Sequence, residues 1–241
     1  MKRMALFMVC ILLLPAIFAE ASTNEKNVRL IKAAERGNLA DVQDELNDGA
    51  DVNAKDIFGW TVLMRASYGG YTYGRYAEVV KLLLYKGADV NIIKTDEGTT
   101  ALMAASSGGN AEVVKLLLDK GANVNIKTNT GTTALITASS GGYAEIVKLL
   151  LDKGADVNIK TNEGITALME TSNGGYSKKV IFGKAPTAAS ERECIEVVKL
   201  LLAKGADINV KNNKGETALM IAKDKGYKEI VGMLERAGAK K

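Results

Sequence analysis

Few residues in this chain have the chemistry of a catalytic or metal site. It contains no histidine, which removes the commonest general base, the commonest metal ligand and the usual partner of a serine or cysteine nucleophile. Its two cysteines, Cys10 and Cys194, are too few for a thiolate zinc site or a disulfide framework. Glu112, Glu145 and Glu196 recur in copies of one phrase, as charges at helix starts do, rather than as an acid–base pair. No glycine-rich loop stands between a strand and a helix at phosphate-binding spacing. Lys55, Lys94, Lys127, Lys160 and Lys211 recur as a basic row, which duplication explains better than selection for an acidic ligand. With 32 basic and 28 acidic residues the formal charge is +4, too mild for a nucleic-acid-binding polycation. No catalytic residue, metal ligand or cofactor site is assigned, and the expectation is a protein without enzymatic activity.

What remains is contact chemistry. Phe58 and Trp60 flank Gly59, and Tyr68, Tyr71, Tyr73 and Tyr76 follow. The one tryptophan and four of the eight tyrosines thus fall within Trp60–Tyr76. Such rings bring large contact area with few rotamers to freeze and dominate interface hot spots. The alternative use of Trp60 and Tyr68 is to cover a weak N-terminal unit, with the neighbouring insertion packed on itself. A second candidate set is polar: Asp96, Glu97, Asn129 and Thr130, which vary between otherwise near-identical segments.

The elements that position these residues come from a repeat. Gly-Ala-Asp-Val-Asn recurs, with small changes, from Gly49, Gly87, Gly121, Gly154 and Gly205, at spacings of 38, 34, 33 and 51 residues. The base period is 33, with insertions. A second phrase opens at Gly59, Gly98, Gly131, Gly164 and Gly215, and places Thr61, Thr100, Thr133, Thr166 and Thr217 where a hydroxyl would cap a short helix. A third, Glu-Val-Val-Lys-Leu-Leu-Leu from Glu78 and near copies from Glu112, Glu145 and Glu196, is apolar over far more than one stripe. A helix of that kind must be covered on two sides, which stacking of like units achieves. Asp-Val-Asn then reads as part of an extended arm returning to the next tip, and Ile92-Ile93 lengthens one arm by a residue.

Period and phrases together resemble the ankyrin repeat over about residues 27–241. The resemblance implies an all-α repeat solenoid of helix–turn–helix units joined by β-hairpin-like turns, and a protein-binding rather than catalytic role, with partner contacts at the turn tips. The family's Thr-Pro-Leu-His phrase is here Thr-Ala-Leu-Met or a near variant, so Met64, Met103, Met169 and Met220 are expected to fill the space of the missing histidine. The expected divisions are a capping unit over 22–48, repeats over 49–86, 87–120, 121–153 and 154–204, and a C-terminal cap over 205–241. Counting the capping unit as the first, the fifth unit (154–204) carries an 18-residue insertion with the basic and apolar run from Ser177 to Pro186, read as a surface loop or a docking segment.

Lys2 and Arg3 precede an apolar run from Met4 to Ala19, then Ala19-Glu20-Ala21. These read as a bacterial-type secretory signal over 1–21, cleaved after Ala21. Its removal lowers the formal charge from +4 to +3 and leaves Cys194 as the single thiol, either an unpaired thiol at a helix start or an intermolecular bridge. The reading is an exported, periplasmic or secreted, monomeric module for protein–protein interaction, using its hairpin tips, its short-helix face and the aromatic patch of the second unit. It has no nucleic acid or cofactor partner, and meets a membrane only if the signal is uncleaved. The alternatives are an envelope-tethered structural protein and an accessory subunit of an enzyme.

Overall fold

The computed structural model describes residues 24–69, 75–94, 96–174 and 191–240. The signal segment, Tyr71, Tyr73 and the insertion after Gly174 lie outside the described residues. The chain divides into two compact bodies, Met1–Asp89 and Val90–Lys241.

Every described element is helical, apart from one isolated antiparallel bridge between Lys55 and Thr61. The first body contains α1 (24–35), α2 (Leu39–Asn47), α3 (Val62–Tyr68) and α4 (Tyr76–Tyr85). In the second, short and long helices alternate. The short ones are α5 (Ala101–Gly108), α7 (Ala134–Ser140), α9 (Ala167–Ser172) and α11 (Ala218–Lys225). The long ones are α6 (Ala111–Asp119), α8 (Ala144–Asp152), α10 (Glu191–Ala203) and α12 (Lys228–Arg236). Neighbours pack in sequence within each layer, α5 on α7 on α9 on α11 and α6 on α8 on α10 on α12, and each short helix from α5 to α11 packs on the long helix that follows it. The architecture is an all-α repeat solenoid.

The local reasons are those of the phrases. Thr61, Thr100, Thr133, Thr166 and Thr217 are N-caps in extended conformation, and each hydroxyl accepts the backbone N–H three residues on, at 3.1–3.3 Å. In α6 and α8, Val113, Val114, Leu117 and Leu118, then Ile146, Val147, Leu150 and Leu151, are all buried. Two-sided coverage of these helices therefore holds, and burying each such side chain contributes roughly 1.5–3 kcal/mol. Met64, Met103 and Met169 are buried as expected. Met220 is not: it is 54% exposed, because the last repeat has no described successor to cover that face.

The Gly-Ala-Asp-Val-Asn phrase is a turn, not part of an extended arm. Gly154 closes α8 in the left-handed region at φ 85°, with the Ala155 N–H returning to the Leu150 carbonyl at 2.9 Å. The Asp156 carboxylate then accepts the Asn158 N–H at 2.9 Å. Asn158 reaches into the next repeat, accepting the Asp207 N–H at 2.8 Å and donating its amide to the Gly205 carbonyl at 3.2 Å. Asn91 does the same to Asn123 and Gly121, and Asn125 to Asp156 and Gly154. In the first body Asn27 accepts from Asp51 and Asn53 from Asp89. Asn53, Asn91, Asn125 and Asn158 are thus brackets between successive repeats, while Asn209 accepts the Lys240 N–H within the last unit.

Candidate functional site

The tips arise from a tight turn ending in glycine. In the fourth repeat the Thr128 N–H bonds to the Thr132 carbonyl, the Gly131 N–H bonds to the Thr128 carbonyl, and the Thr128 hydroxyl accepts the Thr132 N–H at 3.0 Å. Asp56, Thr161 and Asn212 take the same place in their own repeats, each accepting two tip N–H groups through the side chain.

Successive tips of the second body are tied together. Asn129 donates its side-chain amide to the Asp96 carbonyl and its N–H to the Glu97 carbonyl, at 2.8 and 2.9 Å. Asn162 repeats this on Asn129 and Thr130, and Asn213 on Asn162 and Glu163. The Asn129 side chain is therefore committed to the scaffold. The Thr130 hydroxyl is shared with those of Thr128 and Thr132 at 2.9 and 3.1 Å. Asp96 and Glu97 lend only their carbonyls to this ladder, and their side chains remain 62% and 59% exposed.

The extra residue of the third repeat lies in the tip rather than in the arm. There the Lys94 N–H bonds to the Thr99 carbonyl and the Gly98 N–H to the Lys94 carbonyl, so Lys94 stands where Asp56, Thr128, Thr161 and Asn212 stand. Lacking an acceptor, its side chain folds under the tip, 5% exposed, with Nζ at 3.1 Å from Asp96 and 3.2 Å from Glu97. That hydrogen bond holds the Asp96 carboxyl below its usual range. Lys94 thus leaves the basic row, while Lys55, Lys127, Lys160 and Lys211 are exposed.

The aromatic set of the first body is split by burial. Trp60 and Tyr76 are each only 7% exposed, which corrects their expected place on the contact surface. The Trp60 ring meets Tyr68 edge-on at 6.3 Å, and the Arg65 guanidinium lies over it at 4.9 Å. Arg65 is held in turn by the Asp56 carboxylate and lies 3.6 Å from Glu35. The Tyr76 hydroxyl donates to the Glu35 carbonyl at 3.3 Å, in the preceding repeat. These rings clasp the first repeat to the second, the role weighed above for Trp60 and Tyr68. Phe58 is the aromatic left at the tip, 62% exposed, beside Ile57 at 93%. Ile57 drew no notice in the sequence because a lone aliphatic residue carries no chemistry. Its position two before the tip glycine is the signal, since the same place holds Asp96, Asn129, Asn162 and Asn213 in other repeats.

Among the described residues no group of histidine, cysteine or carboxylate side chains could hold a metal ion, and no helix is long and apolar enough to cross a membrane. Cys194 is fully buried in α10, so it could bridge two chains only if that helix came away from its neighbours.

A family model described as ankyrin repeats (3 copies) matches residues 30–128, 71–161, 120–182 and 162–241. The chain belongs to the ankyrin-repeat family. Ankyrin repeats generally mediate protein–protein interaction and are typically non-catalytic. The chain is similar to a mitochondrial disaggregase of Homo sapiens, 42% identical over 71 residues, which is 30% of this chain and 9% of that protein. It is similar to ankyrin repeat domain-containing protein 29 of Danio rerio, 48% identical over 61 residues, 25% of this chain and 19% of that one. It is also similar to a 2-5A-dependent ribonuclease of Mus musculus, 35% identical over 91 residues, 37% of this chain and 12% of that one. The aligned segment spans less than a fifth of each relative.

Proposed function

We propose that this ankyrin-repeat protein is a non-catalytic recognition module, exported to a periplasm or secreted after cleavage following Ala21, that binds a protein partner through its turn tips. The observation that carries the reading is the contrast at the second repeat. Asp56, Arg65 and Trp60 are fully engaged in holding a turn rigid, and what that turn presents to water is Ile57 and Phe58. A preformed apolar tip loses little ordering entropy on binding, and exposed large apolar side chains gathered in one place mark interaction surfaces. Tyr71 and Tyr73 follow in the same repeat by sequence and stay candidate contacts, together with the half-buried Tyr68. In the second body the exposed carboxylates of Asp96 and Glu97, half-neutralised by Lys94, and the outer face of Thr130 supply polar selectivity.

The test is capture from the native compartment by the full chain, followed by affinity measurement on the recovered partner. Ile57→Ser with Phe58→Ser is expected to weaken binding at least tenfold, and Asp96→Asn with Glu97→Gln to weaken it less. Unchanged affinity in both variants removes the tips as the contact surface. N-terminal sequencing of the exported protein checks localisation: a mature chain beginning at Ser22 supports cleavage, and one beginning at Met1 contradicts it.

A further inference from the structure

The fifth residue of each Thr-capped helix, counting the cap as the first, is a point of comparison between repeats: Arg65, Ala104, Thr137, Glu170 and Ile221. In the second body this position lies on the short helices that stack in sequence, α5 on α7 on α9 on α11. Ala104 is fully buried, and Thr137 is 7% exposed with its hydroxyl turned back onto the Thr133 carbonyl at 3.0 Å. Arg65, in the first body, is the charged counterpart, and Asp56 and Glu35 answer its charge. Among the described residues Glu170, itself half-buried, has no such answer. It lies on α9, which packs against α7 and α11, and its Oε2 has no accessible surface and accepts no hydrogen bond among the described residues.

We propose that Glu170 is a proton-operated latch on the seam between the fifth and sixth repeats: with its carboxyl neutral, α11 is held against α9, and ionisation of that carboxyl loosens α11 and α12.

The surroundings give the direction. On α7 there is no ionisable side chain. On α11 the ionisable groups are Lys223, Asp224 and Lys225, all exposed near its C-terminal end, with Lys223 paired to Glu235 at 2.9 Å and Lys225 3.9 Å from Asp224. On α10, Cys194 is buried, while Arg192, Glu193, Glu196 and Lys199 are exposed, Lys199 being paired to Glu196. The turn leading into α9 brings Glu163, a like charge. Among the described residues of these elements, no cation is paired with the Glu170 carboxyl. Burial first, and the Glu163 charge second, push the Glu170 carboxyl above the usual glutamate range.

The sign follows from linkage. An acid whose folded value exceeds its unfolded value binds more protons when folded. The stability contributed by the neutral carboxyl is fully present below the ordinary glutamate range and is lost as pH rises through the raised folded value. Because α9 meets α11 directly, the loss falls on the C-terminal helices before the rest of the second body.

Hydrogen exchange of the full chain across that pH window, corrected for intrinsic exchange, tests this. Protection of α11 and α12 is expected to fall several-fold as pH rises, while that of α5 and α6 holds. Glu170→Gln, which keeps shape and removes the charge, should leave α11 and α12 protected throughout and raise Tm only on the alkaline side of the window. Glu163→Gln should keep the fall but move its midpoint to lower pH. A native chain whose protection changes evenly or not at all, a Glu170→Gln chain that retains the fall, or a midpoint unmoved by Glu163→Gln would overturn the proposal.

Discussion

Replacing Asn125 by Ala removes a bracket between the fourth and fifth repeats and nothing from the apolar core. The Asn125 side chain accepts the Asp156 N–H at 2.9 Å and donates to the Gly154 carbonyl at 3.1 Å. A neutral hydrogen bond contributes about 0.5–1.5 kcal/mol net, so the pair accounts for about 1–3 kcal/mol. Asn125 is exposed, and the released backbone groups can turn to water, which puts the expected loss in the lower half, about 1–2 kcal/mol. For a chain of this size that is a Tm decrease of roughly 2–8 °C. Asn125→Asp keeps the acceptor, loses the donor and sets a carboxylate against a carbonyl, so it should fall by a comparable amount and not recover the native value. Urea unfolding of the full chain reads the stability, and exchange of the Asp156 amide reports the local bond. A change within about 0.5 kcal/mol, the range of an ordinary surface substitution, with Asp156 protection unaltered, would refute the bracket.

Trp60→Ala should destabilise the first body by about 3–5 kcal/mol, visible as an early unfolding step that leaves α5–α12 in place by hydrogen exchange. Gly131→Ala should cost more than about 1 kcal/mol, since Gly131 has φ 81° and an added Cβ would sit 2.9 Å from the Thr161 Cα; chemical denaturation reads it. Thr133→Ala removes the cap hydrogen bond to the Ile136 N–H and should cost about 1 kcal/mol, measured the same way.

The periodicity in the sequence carried most of the architecture, because the residues that make a repeat stack are the ones that recur. Thr133 and Val113–Leu118 could be placed as cap and core from spacing alone. The brackets at Asn91, Asn125 and Asn158 could not: their partners are backbone groups of the next repeat, and a sequence records no backbone geometry. Lys94 misled for a related reason. Its four-residue distance from Gly98 matches that of Lys127 from Gly131, but the extra residue of its repeat was absorbed in the turn, moving it from an exposed row to a buried cap. Trp60 was legible as unusual and illegible as buried, since an aromatic beside a tip glycine fits both an outward contact and an inward clasp. The cation from Arg65 and the edge of Tyr68 decide for the clasp. Tyr143 differs from its counterpart Asn110 for a packing reason too: its half-buried ring lies against Gly109 and Gly141, and burial raises its hydroxyl above the usual tyrosine range.

The most direct test is a binding isotherm of the captured partner with the native chain and with Ile57→Ser/Phe58→Ser at matched stability. These side chains are largely exposed, Ile57 at 93% and Phe58 at 62%, so Tm should stay within about 2 °C while affinity falls at least tenfold. An unchanged isotherm would contradict recognition through the apolar tip.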